Sequence, residues 1–157
     1  MNVIIRKANI EDTKSVQELY FRLFELEYNN FDATINVEWP ISGAGEKYFK
    51  ELINEGTVWV AVDNGKVIGY LAGRIIGKPD YIIRARAELE NIYIDAGYRK
   101  RGIGKGLVHE FRNYCINNGI EEIKVTASSK NMNAREFYKF NGFGDFEVSY
   151  KMKLEYM

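Results

Sequence analysis

The sequence has few of the residues that fix a chain by anything other than packing. Its single cysteine, Cys115, cannot form an internal disulfide, and with His109 as the only histidine no Cys/His cluster exists to hold zinc, so no metal is expected. A histidine-based triad would have to use His109. Only two prolines occur, with no low-complexity tract and no repeat period, so nothing reads as a linker. No apolar run approaches the length of a membrane span, and the opening MNVIIRKANIED is too charged for a secretory signal. The expectation is a cytoplasmic protein with no membrane partner. Charge of one sign is missing too, because 22 Lys plus Arg balance 22 Asp plus Glu. A general nucleic-acid binder is usually basic overall, so no nucleic-acid partner is expected.

What is present fits one domain over residues 1–157, long enough and, at 46% apolar, greasy enough for a real core. Residues 3–8 read as a strand. Val16, Leu19, Tyr20, Leu23 and Phe24 recur at helical spacing within 10–28. A second helix over 42–56 ends at Gly56. Two β-rich runs in 57–77 flank Asp63-Asn64-Gly65-Lys66, a hairpin signal. Residues 84–94 form a strand, a helix runs from Ile103 to Gly119, a strand covers 121–127, a short helix covers 133–140, and the alternation in 145–156 predicts a last strand. The strand–helix–strand over 84–127 makes one parallel crossover and the rest are hairpins. The fold class is therefore α/β (α+β), a mixed sheet flanked by helices.

The strand over 84–94 carries an anomaly. Ala85, Ala87 and Leu89 are apolar on odd positions, Ile92 and Ile94 on even ones. Such a switch requires an extra residue, a β-bulge near Glu90-Asn91, unless both faces are partly buried.

Directly after it comes GYRKRGIGKG, residues 97–106, with four glycines, four basic residues and no acid. It joins a strand end to a helix start, where free N–H groups and the helix dipole favour an anion. As a Walker-type phosphate loop it fails, because Ile103-Gly104 stand where Lys and Ser/Thr belong. As a dinucleotide fingerprint it fails at Leu107, and no acidic residue follows at Thr126-Ala127 to hold a ribose. A third pattern, R/Q-x-x-G-x-G/A, is met throughout residues 99–104. That loop, the bulged strand before it, Asn131 followed by Ala134, and AREFYKFNGF over 134–143 together resemble the GCN5-related N-acetyltransferase (GNAT) family. The likeness spans about residues 87–143, with a weaker match at the start. Ala96 departs from it, standing where the family often has proline.

The resemblance implies a splayed sheet, the acyl-CoA N-acyltransferase fold, and acetyl transfer from acetyl-CoA to a primary amine in a ternary complex. The pantetheine arm would pair with backbone at Ile92, Tyr93 and Ile94. The pyrophosphate would rest on the loop of Arg99, Lys100, Arg101, Gly102, Ile103, Gly104 and Lys105, and Asn131 would lie beside the cofactor. A backbone N–H near Ile92 would polarise the carbonyl. Tyr138 matches the family's general acid for the leaving thiolate, although helical spacing with Phe137 and Phe140 also fits plain packing. Glu90 is the candidate base, with Glu88 as rival; both also fit an ion-paired strand face. His109 is placed about 200° from Leu107 round its helix, facing solvent. Cys115 shares the apolar face and reads as core. For the acceptor, Glu27, Tyr28 and Trp39 offer acid and aromatic surface to a cationic amine. A monomer or homodimer is expected. Two other classes stay open, a non-catalytic coenzyme A sensor and an RNA-contacting module using the basic loop, although only Tyr98 would offer a base a stacking surface there.

Overall fold

The computed structural model describes residues 2–155. Five strands form a single sheet in the order β1 (Val3–Lys7), β2 (Val58–Asp63), β3 (Lys66–Gly77), β4 (Arg86–Ile94) and β5 (Glu122–Val125). The first three pairings are antiparallel and β4–β5 is parallel, so the sheet is mixed as the crossover pattern requires. Between the strands lie α1 (Thr13–Asn30), α2 (Gly43–Glu55), α3 (Ile103–Asn117) and α4 (Met132–Phe140).

Strand alternation sends the side chains to two cores. Val58 and Val60 of β2 join Val16, Leu19, Phe49 and Leu52 under α1 and α2. Trp59 and Ala61 join Leu89, Leu107 and Phe111 under α3. Each fully buried aliphatic chain of this size contributes about 1.5–3 kcal/mol of transfer free energy. Gly73 of β3 leaves room for Phe111: a Cβ there would stand 2.4 Å from the ring. The α2 helix starts at Ser42, whose hydroxyl accepts the Gly45 N–H, and stops at Gly56 in a left-handed conformation, as the sequence predicts.

The bulge is where the change of parity puts it. Ala72 pairs with Asn91 and Gly73 with Leu89, so Glu90 is the extra residue. Ala87 and Leu89 before it, and Ile92 and Ile94 after it, all pack on the α3 side. Glu90 and Asn91 consequently both turn toward α2, where each bonds the same hydroxyl, that of Tyr48. The β4–β5 ladder ends at Leu89–Val125. Beyond it, among the described residues, β4 continues against β3 alone, and the sheet splays.

One expected element does not form. Residues 143–155 have no regular secondary structure, and Phe146, Val148, Tyr150, Met152 and Leu154 are exposed. Alternation specifies a strand only where a sheet edge receives it in register. This segment touches β5 through Glu147 and Lys124, then leaves the sheet, with Lys151 reaching Asp32 beyond α1 at 3.5 Å.

Candidate active site

Local backbone chemistry shapes the basic loop. Lys100 (φ 62°) and Gly102 (φ 79°) are both left-handed, so the chain turns sharply on either side of Arg101. Gly102 caps α3 without a side-chain hydrogen bond. The N–H groups of residues 102–105 thus point outward with no acceptor one turn back, at the positive end of a 15-residue helix. Tyr98 anchors the loop by donating to Asp63 Oδ2 at 2.7 Å, and Arg99 Nε donates to the Ile94 carbonyl at 3.0 Å. The Arg99 guanidinium also lies 5.1 Å from the Tyr93 ring centre. Ile92, Tyr93 and Ile94 flank the splay as expected, but the Ile94 carbonyl is already engaged. Lys105 sits over Phe140.

At the far side of the opening, α4 carries Tyr138. Its ring meets Phe137 and Phe143 edge-on at 5.5 and 5.6 Å. Burial, and after it the charge of Glu27, push its phenol up to about 12, so it holds its proton throughout the neutral range. No hydrogen bond engages the hydroxyl among the described residues. Asn131 caps α4 by accepting the Ala134 N–H at 3.1 Å. That accounts for the N-x-x-A spacing through helix capping.

The acid–aromatic expectation divides. Trp39 is half-buried and Glu27 turns inward, whereas Tyr28 is 42% exposed and makes no ring contact among the described residues. Trp39 is placed by the turn that Gln17 holds, donating to the Pro40 carbonyl at 3.0 Å. It meets Tyr20 and Tyr48, which stack on each other at 6.1 Å. Tyr20, Tyr48, Tyr70 and Arg74 are components that sequence reasoning missed. The signal available was Tyr20, Phe24 and Glu27 at positions i, i+4 and i+7.

Glu90 is bound on its own strand face. Its Oε1 accepts from the Tyr48 hydroxyl at 3.0 Å and from Arg74 Nε at 3.1 Å. Arg84 and Arg86 pair with Glu122 instead. Beside this network the Tyr70 hydroxyl and Asn91 Oδ1 are buried without hydrogen-bond partners among the described residues. Each such group costs about 1–3 kcal/mol, and buried groups left unpaired concentrate where function holds them. Burial raises the phenols of Tyr20, Tyr48 and Tyr70 above their ordinary range, with the Glu27 charge adding to Tyr20 and Tyr70 and that of Glu90 to Tyr20 and Tyr48.

Cys115 as a nucleophile and His109 as a base both lose support. The Cys115 thiol is buried and pushed up to about 11, leaving almost no thiolate. His109 is exposed on α3, 3.0 Å from Asn113. An open groove of about 440 Å³ lies elsewhere, between α1 and the β2–β3 turn, and is lined by solvated charges such as Glu18, Arg22 and Lys66. No cluster able to hold a metal, and no helix long and apolar enough to cross a membrane, occurs among the described residues.

Comparison with known proteins adds independent findings. The sequence model of the Acetyltransferase (GNAT) family matches residues 14–143. An uncharacterised N-acetyltransferase of Methanocaldococcus jannaschii is 30% identical over 148 residues, 92% of this chain and 62% of that protein. The chain thus spans under two thirds of that relative's length. A spermidine N(1)-acetyltransferase of Thermoplasma acidophilum is 28% identical over 153 residues, 91% of this chain and 89% of that one. The crystal structure of the PaiA N-acetyltransferase from Thermoplasma acidophilum, in complex with coenzyme A, superposes with a TM-score of 0.77 at 23% identity, covering 95% of this chain and 94% of that one.

Proposed function

The chain belongs to the acetyltransferase (GNAT) family, and on that premise we propose that it is an acetyl-CoA-dependent N-acetyltransferase whose acceptor is a small cationic amine. The observation that carries this reading is the splay. Past Leu89 one edge of β4 has no strand partner among the described residues, with the uncapped start of α3 at one end and the Tyr138 phenol at the other. An extended amide-bearing arm suits the open edge, and a pyrophosphate suits the N–H groups of residues 102–105. Arg99, Lys100, Arg101 and Lys105 supply the matching charge.

When bound, acetyl-CoA supplies an activated acetyl thioester. The protein's part is to hold it beside the amine, which removes most of the entropic barrier. A backbone N–H near Ile92 polarises the carbonyl oxygen. Tyr138, protonated at neutral pH, donates to the leaving sulfur. Glu27 with the Tyr20, Trp39 and Tyr48 rings suits an ammonium group, by charge and by cation–π attraction. The Thermoplasma relative's named substrate, spermidine, has that chemistry.

The test is thermal unfolding with and without acetyl-CoA, followed by thiol release with spermidine, kanamycin, free amino acids and a lysine peptide. The reading expects a rise in Tm with acetyl-CoA and amine-dependent thiol release. Acetyl-CoA binding without release on any amine would make the chain a sensor, and no binding would overturn the reading entirely.

A further inference from the structure

Glu27 and Glu90 both face the acceptor side of the splay, and their surroundings differ. Glu90 is committed to Arg74 and Tyr48. Protonating it would break an ion pair and strand a guanidinium that is only one-third exposed. Glu27 is seven residues past Tyr20 on α1, two turns along and about 20° round the helix, hence on the same stripe. That stripe also carries Phe24, whose ring meets Tyr20 at 4.7 Å. The Glu27 carboxylate makes no ion pair or hydrogen bond among the described residues. Its charge nevertheless reaches phenols on three elements, Tyr20 of α1, Tyr70 of β3 and Tyr138 of α4. An unpaired carboxylate within electrostatic reach of the candidate acid can serve the opposite end of the same proton transfer.

We propose that Glu27, and not Glu90, is the catalytic base that takes the proton from the acceptor ammonium. This rests on the reading of the chain as an amine acetyltransferase. The ammonium gives one proton to Glu27, and the freed lone pair forms the C–N bond to the acetyl carbon. The carbon–sulfur bond breaks, its electron pair stays on sulfur, and Tyr138 protonates that sulfur. The Tyr138 phenolate recovers its proton from the nitrogen that has become the amide. Glu27 releases its proton to solvent, so one ammonium and one thioester give one amide, one thiol and one proton.

The groups facing Glu27 are Asp32 beyond α1 (itself met by Lys151), Tyr20 on α1, Tyr70 on β3 and Tyr138 on α4. Tyr48 of α2 and Glu90 of β4 lie across the Tyr20 ring. Burial first, and Asp32 second, raise the Glu27 carboxyl above the ordinary carboxylate range. Protonation disables a base, so kcat/KM falls as pH drops through that raised value.

The experiment measures kcat and KM against pH for the wild type, E27Q, E27D and E90Q, using whichever of spermidine, kanamycin or the lysine peptide supports thiol release, with acetyl-CoA affinity measured alongside. The expected E27Q enzyme binds acetyl-CoA as the wild type does, loses about 100-fold or more in kcat and lacks the acidic limb. E27D regains the limb, which separates a proton role from a folding defect. E90Q keeps the limb and loses less than about tenfold in kcat, below the roughly 100-fold or more that a general acid or base contributes. The proposal is overturned if E27Q retains the limb, whether kcat is low or only KM has risen, or if E90Q alone abolishes it. A wild type that releases thiol with none of the amines overturns the functional reading, and the base with it, a failure visible before any variant is made.

Discussion

Replacing Tyr138 by Phe tests the acid with little disturbance to the fold. The ring and its edge contacts with Phe137 and Phe143 stay. The hydroxyl has no hydrogen bond to lose among the described residues, so stability should change by no more than about 0.5 kcal/mol, roughly 2 °C in Tm for a chain of this length. Catalysis should change more. Without the phenol, water becomes the proton donor. Bulk water ionises at about 15.7, so a phenol at about 12 is the stronger acid by roughly 3.7 units. If the proton is about half transferred at the transition state, the difference is on the order of 70-fold in rate, or about 2.5 kcal/mol. Thiol release at saturating acetyl-CoA and amine reads this directly, and calorimetry reads acetyl-CoA affinity, which should not move. A Y138F enzyme within twofold of wild-type kcat would refute the assignment, because the packing explanation of Tyr138 would then suffice.

Three further outcomes follow from other contacts. Asn131→Ala removes the cap of α4 and should cost about 1 kcal/mol, lowering Tm by roughly 2–4 °C in thermal unfolding, with a secondary loss of kcat as Tyr138 loosens. Burial disfavours the Asp12 carboxylate, but hydrogen bonds from Arg6 and the Asn9 N–H outweigh it, and its pKa is lowered in the folded state. Its contribution to stability is therefore present above the ordinary carboxylate pKa of about 3.9 and is lost as pH falls below it. Asp12→Asn should lower Tm at pH 7 and leave a shallower decline in acid. Finally, Tyr150 is 93% exposed in a segment without secondary structure, so brief chymotrypsin treatment should cut after it first and leave a folded core, as seen by mass spectrometry and circular dichroism.

How much was legible in the sequence depended on the range of the interaction that decided each feature. The bulge at Glu90 was legible because β4 turns its apolar residues to one core, so parity is recorded residue by residue, and Ala87, Leu89, Ile92 and Ile94 keep that record. The cap at Asn131 was legible as a spacing, though its cause is a local hydrogen bond. The last strand was not legible, since alternation in 145–156 states what a strand would look like and not whether β5 would receive it. Glu27 and Tyr28 illustrate a finer limit. They are neighbours about 100° apart on one helix, and only the packing of α1 onto α2 and the sheet decides which turns inward. The Arg74–Glu90–Tyr48–Asn91 network draws on β3, β4 and α2, and no local pattern could announce it.

The glycine-rich loop then acquires a second meaning. Gly102 is a backbone requirement, since its left-handed turn aims the first N–H groups of α3 outward. Gly104 is a packing requirement: a Cβ there would stand 2.9 Å from the Phe137 ring. Phe137 precedes Tyr138 on α4, so the missing side chain lets α4 approach the start of α3 closely enough to bring the phenol to the splay. The proposed anion cradle and the proposed proton donor, on separate helices, are thereby set at a fixed separation by one absent methyl group. The same glycines that suit a phosphate by exposing backbone also determine where the acid stands, which is why the loop and the AREFYKF helix function as one unit in the proposed site.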